Sequence, residues 1–148
     1  MKFIKKVSRT SWFVLATLIF TFVGFISYLV NTKTTYFFTF GVSPAILTFA
    51  IIALILEIAY IASDFFKDSK QIIIAKEVVS VIIPILIICA LIYLLDARIY
   101  YSATILTYEK TTQNVSDLSS ALVAIGSLGL AFLMGVVSSF IPRKQKEN

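Results

Sequence analysis

Residues 43–66 read SPAILTFAIIALILEIAYIASDFF, and this stretch decides the fold class. Between Ser43 and Asp64 it carries a single charged side chain, the carboxyl of Glu57. A helix of about 20 predominantly apolar residues is long enough to cross the hydrocarbon core of a bilayer. The stretch therefore predicts a membrane-spanning helix that contains one acidic group.

The rest of the chain has a similar composition. Of its 148 residues 59% are hydrophobic and 14% charged, whereas a soluble domain has roughly a quarter of its residues charged. One small globule cannot bury so much apolar side chain, so we predict an all-α integral membrane protein without a soluble domain. Residues 1–148 form a single four-helix membrane domain in this prediction. The spans are at about 11–30, 44–65, 78–95 and 118–141, and the connections at 31–43, 66–77 and 96–117.

The distribution of basic residues predicts the orientation. The N-terminal segment, the second connection and the C-terminal tail together hold 10 Lys and Arg, whereas the first and third connections hold 3. Cytoplasmic loops carry the excess of basic residues, so both termini and connection 66–77 are predicted in the cytoplasm. Connections 31–43 and 96–117 are then extracytoplasmic. The first half of the latter, residues 96–108, has enough apolar residues to continue the third helix or to lie in the interface. The composition suggests a bacterial plasma membrane protein.

Several classes of chemistry are disfavoured by what the sequence lacks. It contains no histidine and a single cysteine, Cys89, inside an apolar run. Histidine-based triads and zinc sites are therefore excluded, and we expect neither a metal nor a cofactor. The net charge of +5 comes from residues beside apolar spans, which favours lipid headgroups over nucleic acid. The expected partners are the bilayer and another membrane protein or a second copy of this chain.

Glu57 is the first candidate functional residue. An unpaired charge at its depth costs on the order of 2–4 kcal/mol, so the carboxyl is expected to pair, to stay protonated or to face a cavity. No basic residue lies within a predicted span, which leaves the neutral form. Tyr60 and Asp64 follow on the same helix face, and Thr17 lies at the same depth. These four residues form the candidate ion or proton site.

The neighbouring spans supply groups near that depth. Pro84 removes a backbone donor from the third span and leaves the carbonyl of Ser80 free, so protonated Glu57 is expected to donate to it. Gly135 of the fourth span lies at a similar depth. It belongs to a row of small residues that recur every four positions and predict close packing against another helix: Ser127, Ala131, Gly135 and Ser139.

The first span has a face of its own. Thr17, Thr21, Gly24 and Tyr28 lie on one side of a helix and predict a surface that packs against other helices. The start of the second span is also marked, because Pro44 is tolerated in the first turn of a helix and Ser43 is expected to cap it.

Asp96 and Asp117 are the second constellation, at the ends of the third and fourth spans. Two such carboxylates can share a proton and activate water. Residues 114–117, Asn-Val-Ser-Asp, resemble the Asn-x-Ala-Asp stretch of lipoprotein signal peptidase, a four-span family, which implies an intramembrane aspartyl protease. The chain departs from that family because Ala97 separates Asp96 from Arg98 and because the first span has no acid. Interface anchors at Asp96 and Arg98, and a helix cap near Asn114 and Asp117, are the simpler expectation.

These observations predict a non-enzymatic protein that acts through helix contacts, as an accessory, assembly or immunity-type subunit. The alternative is a small ion-coupled or multidrug-type transporter that uses Glu57. A holin-like pore former and the aspartyl protease are further alternatives.

Overall fold

The computed structural model describes residues 8–66 and 69–141, and within these ranges it contains helices and no strands. Most of the basic residues behind the predicted orientation lie outside the described residues. The helices that the structure shows are α1 (Arg9–Asn31), α2 (Pro44–Ala62), α3 (Lys70–Thr107) and α4 (Thr112–Phe140), with single 3₁₀ turns at Phe38–Phe40 and Ser63–Phe65. Each of the four is long and apolar enough to cross a membrane, and together they pack as a helical bundle.

Hydroxyl side chains mark the helix starts. The hydroxyls of Ser8, Ser69 and Thr111 accept the backbone N–H groups of residues 11, 72 and 114, and they cap α1, α3 and α4. Pro44 occupies the start of α2 as predicted, and Ser43 occupies the cap position. The hydroxyl of Ser43, however, makes no capping hydrogen bond, which corrects the prediction for that side chain.

The third helix is much longer than the predicted span. α3 has 38 residues, which is roughly 57 Å of helix against a hydrocarbon core of about 30 Å. The segment predicted as connection 96–117 is therefore helical except for residues 108–111, because no glycine or proline ends the helix before Thr107. The predicted cap near Asn114 and Asp117 is wrong for the same reason, since Thr111 already caps α4. The connection predicted at 66–77 is likewise shorter, because α3 begins at Lys70.

Helices that follow one another in the chain run antiparallel. α1 packs chiefly against α4, and α4 also packs against α3. Apolar side chains that point away from the bundle, among them Phe22, Ile55, Ile85 and Leu133, are more than half exposed. A soluble bundle would bury such a surface, whereas a bilayer solvates it.

The α4 row of small residues is used inside the chain. A Cβ added to Gly135 would lie 3.3 Å from the Cβ of Pro84, so the glycine allows α3 and α4 to approach closely. Ala131 is fully buried, and the hydroxyl of Ser139 donates to the carbonyl of Ser80 at 2.7 Å. The buried face of α1 completes this packing at Gly24, where an added Cβ would meet Leu128 at 2.8 Å.

The predicted packing face of α1 is confirmed. Thr17, Thr21, Gly24 and Tyr28 are all buried in the bundle. At the opposite end from Ser8, a second small core joins the α1–α2 connection to the α3–α4 hairpin. Its buried members are Phe37, Ile105, Leu118 and Ala121.

Candidate functional site

Glu57 is completely buried, with a side-chain exposure of 0%. It lies in α2 five residues before Ala62, which is roughly 8 Å along the helix from that end. Its Oε1 is 2.9 Å from the hydroxyl of Thr21 on α1, and its Oε2 has no hydrogen-bond partner among the described residues. No basic side chain of that part of the chain forms an ion pair with it. Because an unpaired charge buried in this way is very costly, the arrangement fits a protonated carboxyl.

The hydroxyl of Thr21 has two acceptors within reach but only one proton. It lies 2.9 Å from the carbonyl of Thr17 and 2.9 Å from Oε1 of Glu57. When Thr21 donates to Thr17, the remaining contact requires Glu57 to be the donor, and hence protonated. When Thr21 donates to Glu57, the carboxyl is free to be ionised. The Thr21 hydroxyl therefore matches either protonation state by rotating.

Polar side chains continue from Glu57 towards the nearer end of the bundle, which we call the Asp64 end. Tyr60, one turn further along α2, is buried, and the Nζ of Lys76 lies 5.8 Å from the centre of its ring. Lys76 forms an ion pair of 2.6 Å with Asp64, whose side chain is only 3% exposed. The backbone N–H of Ser8 donates to the same carboxylate at 3.0 Å. Through these two contacts Asp64 joins the end of α2 to α3 and to the start of α1.

The structure thus brings some of the predicted site residues to Glu57 and leaves others apart. Thr17 is buried but reaches Glu57 only through Thr21, one turn further along α1 than predicted. Asp64 is engaged by Lys76 rather than by Glu57. The expected bond from Glu57 to Ser80 is also wrong, because Ser139 donates to that carbonyl. A serine one turn from Gly135 can reach the freed carbonyl because the glycine lets α3 and α4 approach.

A second buried charge, Arg98, was not anticipated. It was expected at the membrane interface, yet its side chain is 2% exposed. Its Nε donates to the side-chain oxygen of Asn31 at 2.8 Å. The amide of Asn31 in turn donates to the carbonyl of Asp117 at 3.2 Å and to the hydroxyl of Ser120 at 3.1 Å. Asn31 therefore ties α1, α3 and α4 together and fixes the orientation of the guanidinium.

Aromatic rings surround this guanidinium. Its central carbon lies 4.8 Å from the ring centre of Phe37 and 6.0 Å from those of Tyr28 and Phe40. Cation–π contacts of this kind stabilise a cation in a desolvated site. Within the described ranges no carboxylate forms an ion pair with Arg98. We call this region, where the two connections meet, the Arg98 end.

A pocket of about 320 Å³ opens beside Arg98. Asp96, which is exposed, also lines it, whereas Asp117 does not. The two oxygens of Asp117 instead accept the backbone N–H of Tyr36 at 2.9 Å and the side-chain amide of Gln113 at 2.7 Å. The two aspartates considered for a protease are therefore placed in different surroundings, and Asp117 has a structural role as the anchor of the α1–α2 connection.

The sequence contains a pattern that predicts the burial of Arg98, but the pattern is visible only when the third helix is continued past residue 95. Leu91, Leu94, Arg98 and Ile105 share one face of α3 and are all buried. Extending the apolar face of the third span past residue 95 would have placed Arg98 in the interior. The sequence allows residues 96–108 to continue the third helix, and the structure confirms that alternative.

Groupings of three or more His, Cys, Asp or Glu side chains able to hold a metal ion are absent from residues 8–66 and 69–141. Comparison of the chain with protein-family models, with curated proteins and with solved structures finds no match. The two buried ionisable side chains, Glu57 and Arg98, are therefore the features of this chain that bear on its function.

Proposed function

We propose that this multi-pass protein is a small ion-coupled transporter in which Glu57 binds and releases a proton. The observation that carries the proposal is the isolation of the Glu57 carboxyl: it is fully buried, and among the described residues it has one polar contact while its second oxygen has none. A buried polar group without a partner lowers the stability of the fold by about 1–3 kcal/mol, and an apolar residue in its place would pack better. Ionisable groups held at such a cost inside membrane helices typically lie on ion or proton pathways.

The contacts of Glu57 suggest how protonation is coupled to structure. In the protonated state Glu57 donates to Thr21, and Thr21 donates to Thr17. Loss of the proton reverses the Thr21 hydroxyl and leaves a buried anion, which requires water or a cation to reach it. We assign proton entry and exit to the Asp64 end, where the buried ion pair between Asp64 and Lys76 would open to admit water. The charge distribution predicts that this end faces the cytoplasm.

A flux assay tests this function. Purified protein is reconstituted in liposomes with a pH-sensitive dye inside, and proton movement is followed on addition of Na⁺, K⁺ or a lipophilic cationic dye. We expect substrate-dependent proton flux, its loss in Glu57→Gln, and unchanged flux in the matched control Glu109→Gln, an exposed acid. Absence of flux from the wild-type protein, or equal flux from Glu57→Gln, contradicts the proposal.

An accessory subunit that associates with another copy or another membrane protein is the second candidate, and the outer face of α4 favours it. Gly126 is exposed and Gly129 half-buried, and a Cβ added to either would meet nothing within 4 Å. Glycine inside a helix costs about 0.5–1 kcal/mol relative to alanine, and the packing of this chain does not require either residue. Small residues on a lipid-facing surface allow a second helix to approach closely.

A pair of glycine substitutions tests the accessory candidate. Gly126→Leu is expected to reduce particle mass in mild detergent, or the co-purification of a partner, without lowering the melting temperature. Gly135→Leu serves as the matched variant, because it clashes with Pro84 and should destabilise the chain itself. A wild-type particle with the mass of one chain and no partner, or association unaffected by Gly126→Leu, speaks against this role.

A further inference from the structure

We infer that the pocket beside Arg98 is a binding site for a zwitterionic phosphate ester, in which a phosphate lies next to an ammonium group. This inference goes beyond the proposed function and does not depend on Glu57. It follows from the donors that converge on the pocket, from the one carboxylate at its edge, and from the level at which the pocket lies on the helices.

Arg98 supplies the main anion-binding group. Its Nε is already used by Asn31, so the outer nitrogens of the guanidinium remain for a ligand. Nη1 donates a long hydrogen bond of 3.5 Å to the carbonyl of Ala97. With no carboxylate paired to it in the part of the chain described, this buried cation lacks a counter-ion. Nη2 and the second proton of Nη1 remain to bind a phosphate oxygen pair.

Two hydroxyl groups and a helix end complete the anion site. The Tyr28 hydroxyl lines the pocket and accepts the backbone N–H of Ser43 at 2.6 Å, which leaves its own proton to donate. Ser43 also lines the pocket, and its hydroxyl is not used to cap α2. The 19-residue helix α2 begins at this point, so its positive N-terminal end faces the site. The unused hydroxyl and the buried arginine are independent features that favour an anion in the same place.

Asp96 determines the second half of the ligand. Its exposed carboxylate lines the same pocket and would repel a ligand that carries only negative charge. An ammonium group beside the phosphate pairs with Asp96, and the aromatic walls formed by Phe40 and Tyr101 accommodate a small cation. A pocket of about 320 Å³ has room for such a group but not for a large substrate.

The level of the pocket indicates where the ligand comes from. Ser43 and Gly41 line it directly before the apolar span of α2, and the exposed rings of Phe40 and Tyr100 surround that level. Aromatic side chains concentrate at the headgroup layer of a bilayer. The same chemistry is offered by a phosphatidylethanolamine headgroup and by free phosphoethanolamine, and the experiment must distinguish these two sources.

Calorimetric titration of the full-length protein in a non-ionic detergent provides the test. The probes are short-chain phosphatidylethanolamine, short-chain phosphatidylglycerol and soluble O-phosphoethanolamine. We expect phosphatidylethanolamine to bind roughly threefold to fivefold more tightly than phosphatidylglycerol, as one partly exposed ion pair to Asp96 would give. Binding of the soluble compound with equal affinity assigns the ligand to the free pool, whereas binding of the lipid alone assigns it to the membrane.

Three variants separate the pocket from general lipid binding. Asp96→Asn should abolish the preference for phosphatidylethanolamine, and Ser43→Ala should weaken its binding about threefold to tenfold. Neither side chain has a structural hydrogen bond that the substitution removes, so both proteins should melt at the wild-type temperature. Arg98→Lys, which keeps the charge but loses the paired donors, should weaken binding about tenfold or more. Equal affinity for both lipids in the wild-type protein, or wild-type binding by Asp96→Asn and Ser43→Ala, overturns the inference.

Discussion

The two ends of the bundle hold a buried charged side chain in opposite ways. At the Arg98 end the guanidinium is bound by Asn31, enclosed by aromatic rings and adjacent to a pocket. Near the Asp64 end, within the part of the chain that the structure describes, Glu57 has one hydrogen bond and its Oε2 has none. Through Asn31, Arg98 is thus bonded into the contact between three helices. Glu57 is buried in the bundle without its polar atoms being fully hydrogen-bonded by the described residues. Burial alone therefore does not tell whether a charged side chain stabilises the fold. The number of its hydrogen bonds and ion pairs that are satisfied decides this.

The largest effect is expected when Arg98 is removed. Arg98→Ala leaves a cavity between Phe37 and Tyr28 and deprives Asn31 of its donor, so the free energy of unfolding should fall by about 3–5 kcal/mol. Unfolding of the protein from mixed detergent–SDS micelles measures this. The exposed neighbour Ile99 offers a control, because Ile99→Ala should cost well under half as much. A loss below about 1 kcal/mol for Arg98→Ala would show that the network is not structural.

Glu57→Leu should act in the opposite direction. Replacing a half-satisfied buried carboxyl by an apolar side chain removes the orphan oxygen, so unfolding should become harder by about 1–3 kcal/mol. The same micelle titration reports the change. Destabilisation would mean that Glu57 has a stabilising partner, and the contrast with Arg98 would then disappear.

Thr21→Val should lower stability by about 1 kcal/mol, because it removes the hydrogen bond between Thr21 and Glu57. A double-mutant cycle tests this expectation: in the Glu57→Leu background the same substitution should cost clearly less, because only the bond to the Thr17 carbonyl is left to lose. Equal costs in the two backgrounds would show that the Thr21 hydroxyl serves Thr17 alone.

The smallest effect concerns the carbonyl that Pro84 leaves free. Ser139→Ala removes its donor and should cost about 0.5–1 kcal/mol in thermal unfolding. We expect the same loss in the Glu57→Leu background, since Glu57 does not reach Ser80 in this structure. A larger loss in that background would mean that Glu57 replaces Ser139 when the serine is absent.

The sequence predicted the existence of four apolar helices and the buried face of α1 because both follow from periodicity along a single helix. It also identified Glu57, since one acid in a long apolar run is visible without any knowledge of neighbours. Helix length was predicted less well. The absence of glycine and proline left open whether residues 96–108 continue the third helix or lie in the interface. In the structure residues 96–107 belong to α3, and Ile105 packs there against Phe37 from the α1–α2 connection, a contact between segments far apart in the chain.

Total apolar content and uninterrupted apolar runs can be read from the chain alone, and they were enough to predict four long apolar helices. Which groups form hydrogen bonds with one another became visible only with the packed helices. Glu57 is bonded to Thr21 rather than to Thr17, the Ser80 carbonyl accepts from Ser139 rather than from Glu57, and Arg98 donates to Asn31. The physical reason is that a hydrogen bond requires two atoms within about 3 Å. Rotation and sliding of one helix against another by a single turn change every such pair while leaving the apolar pattern unchanged.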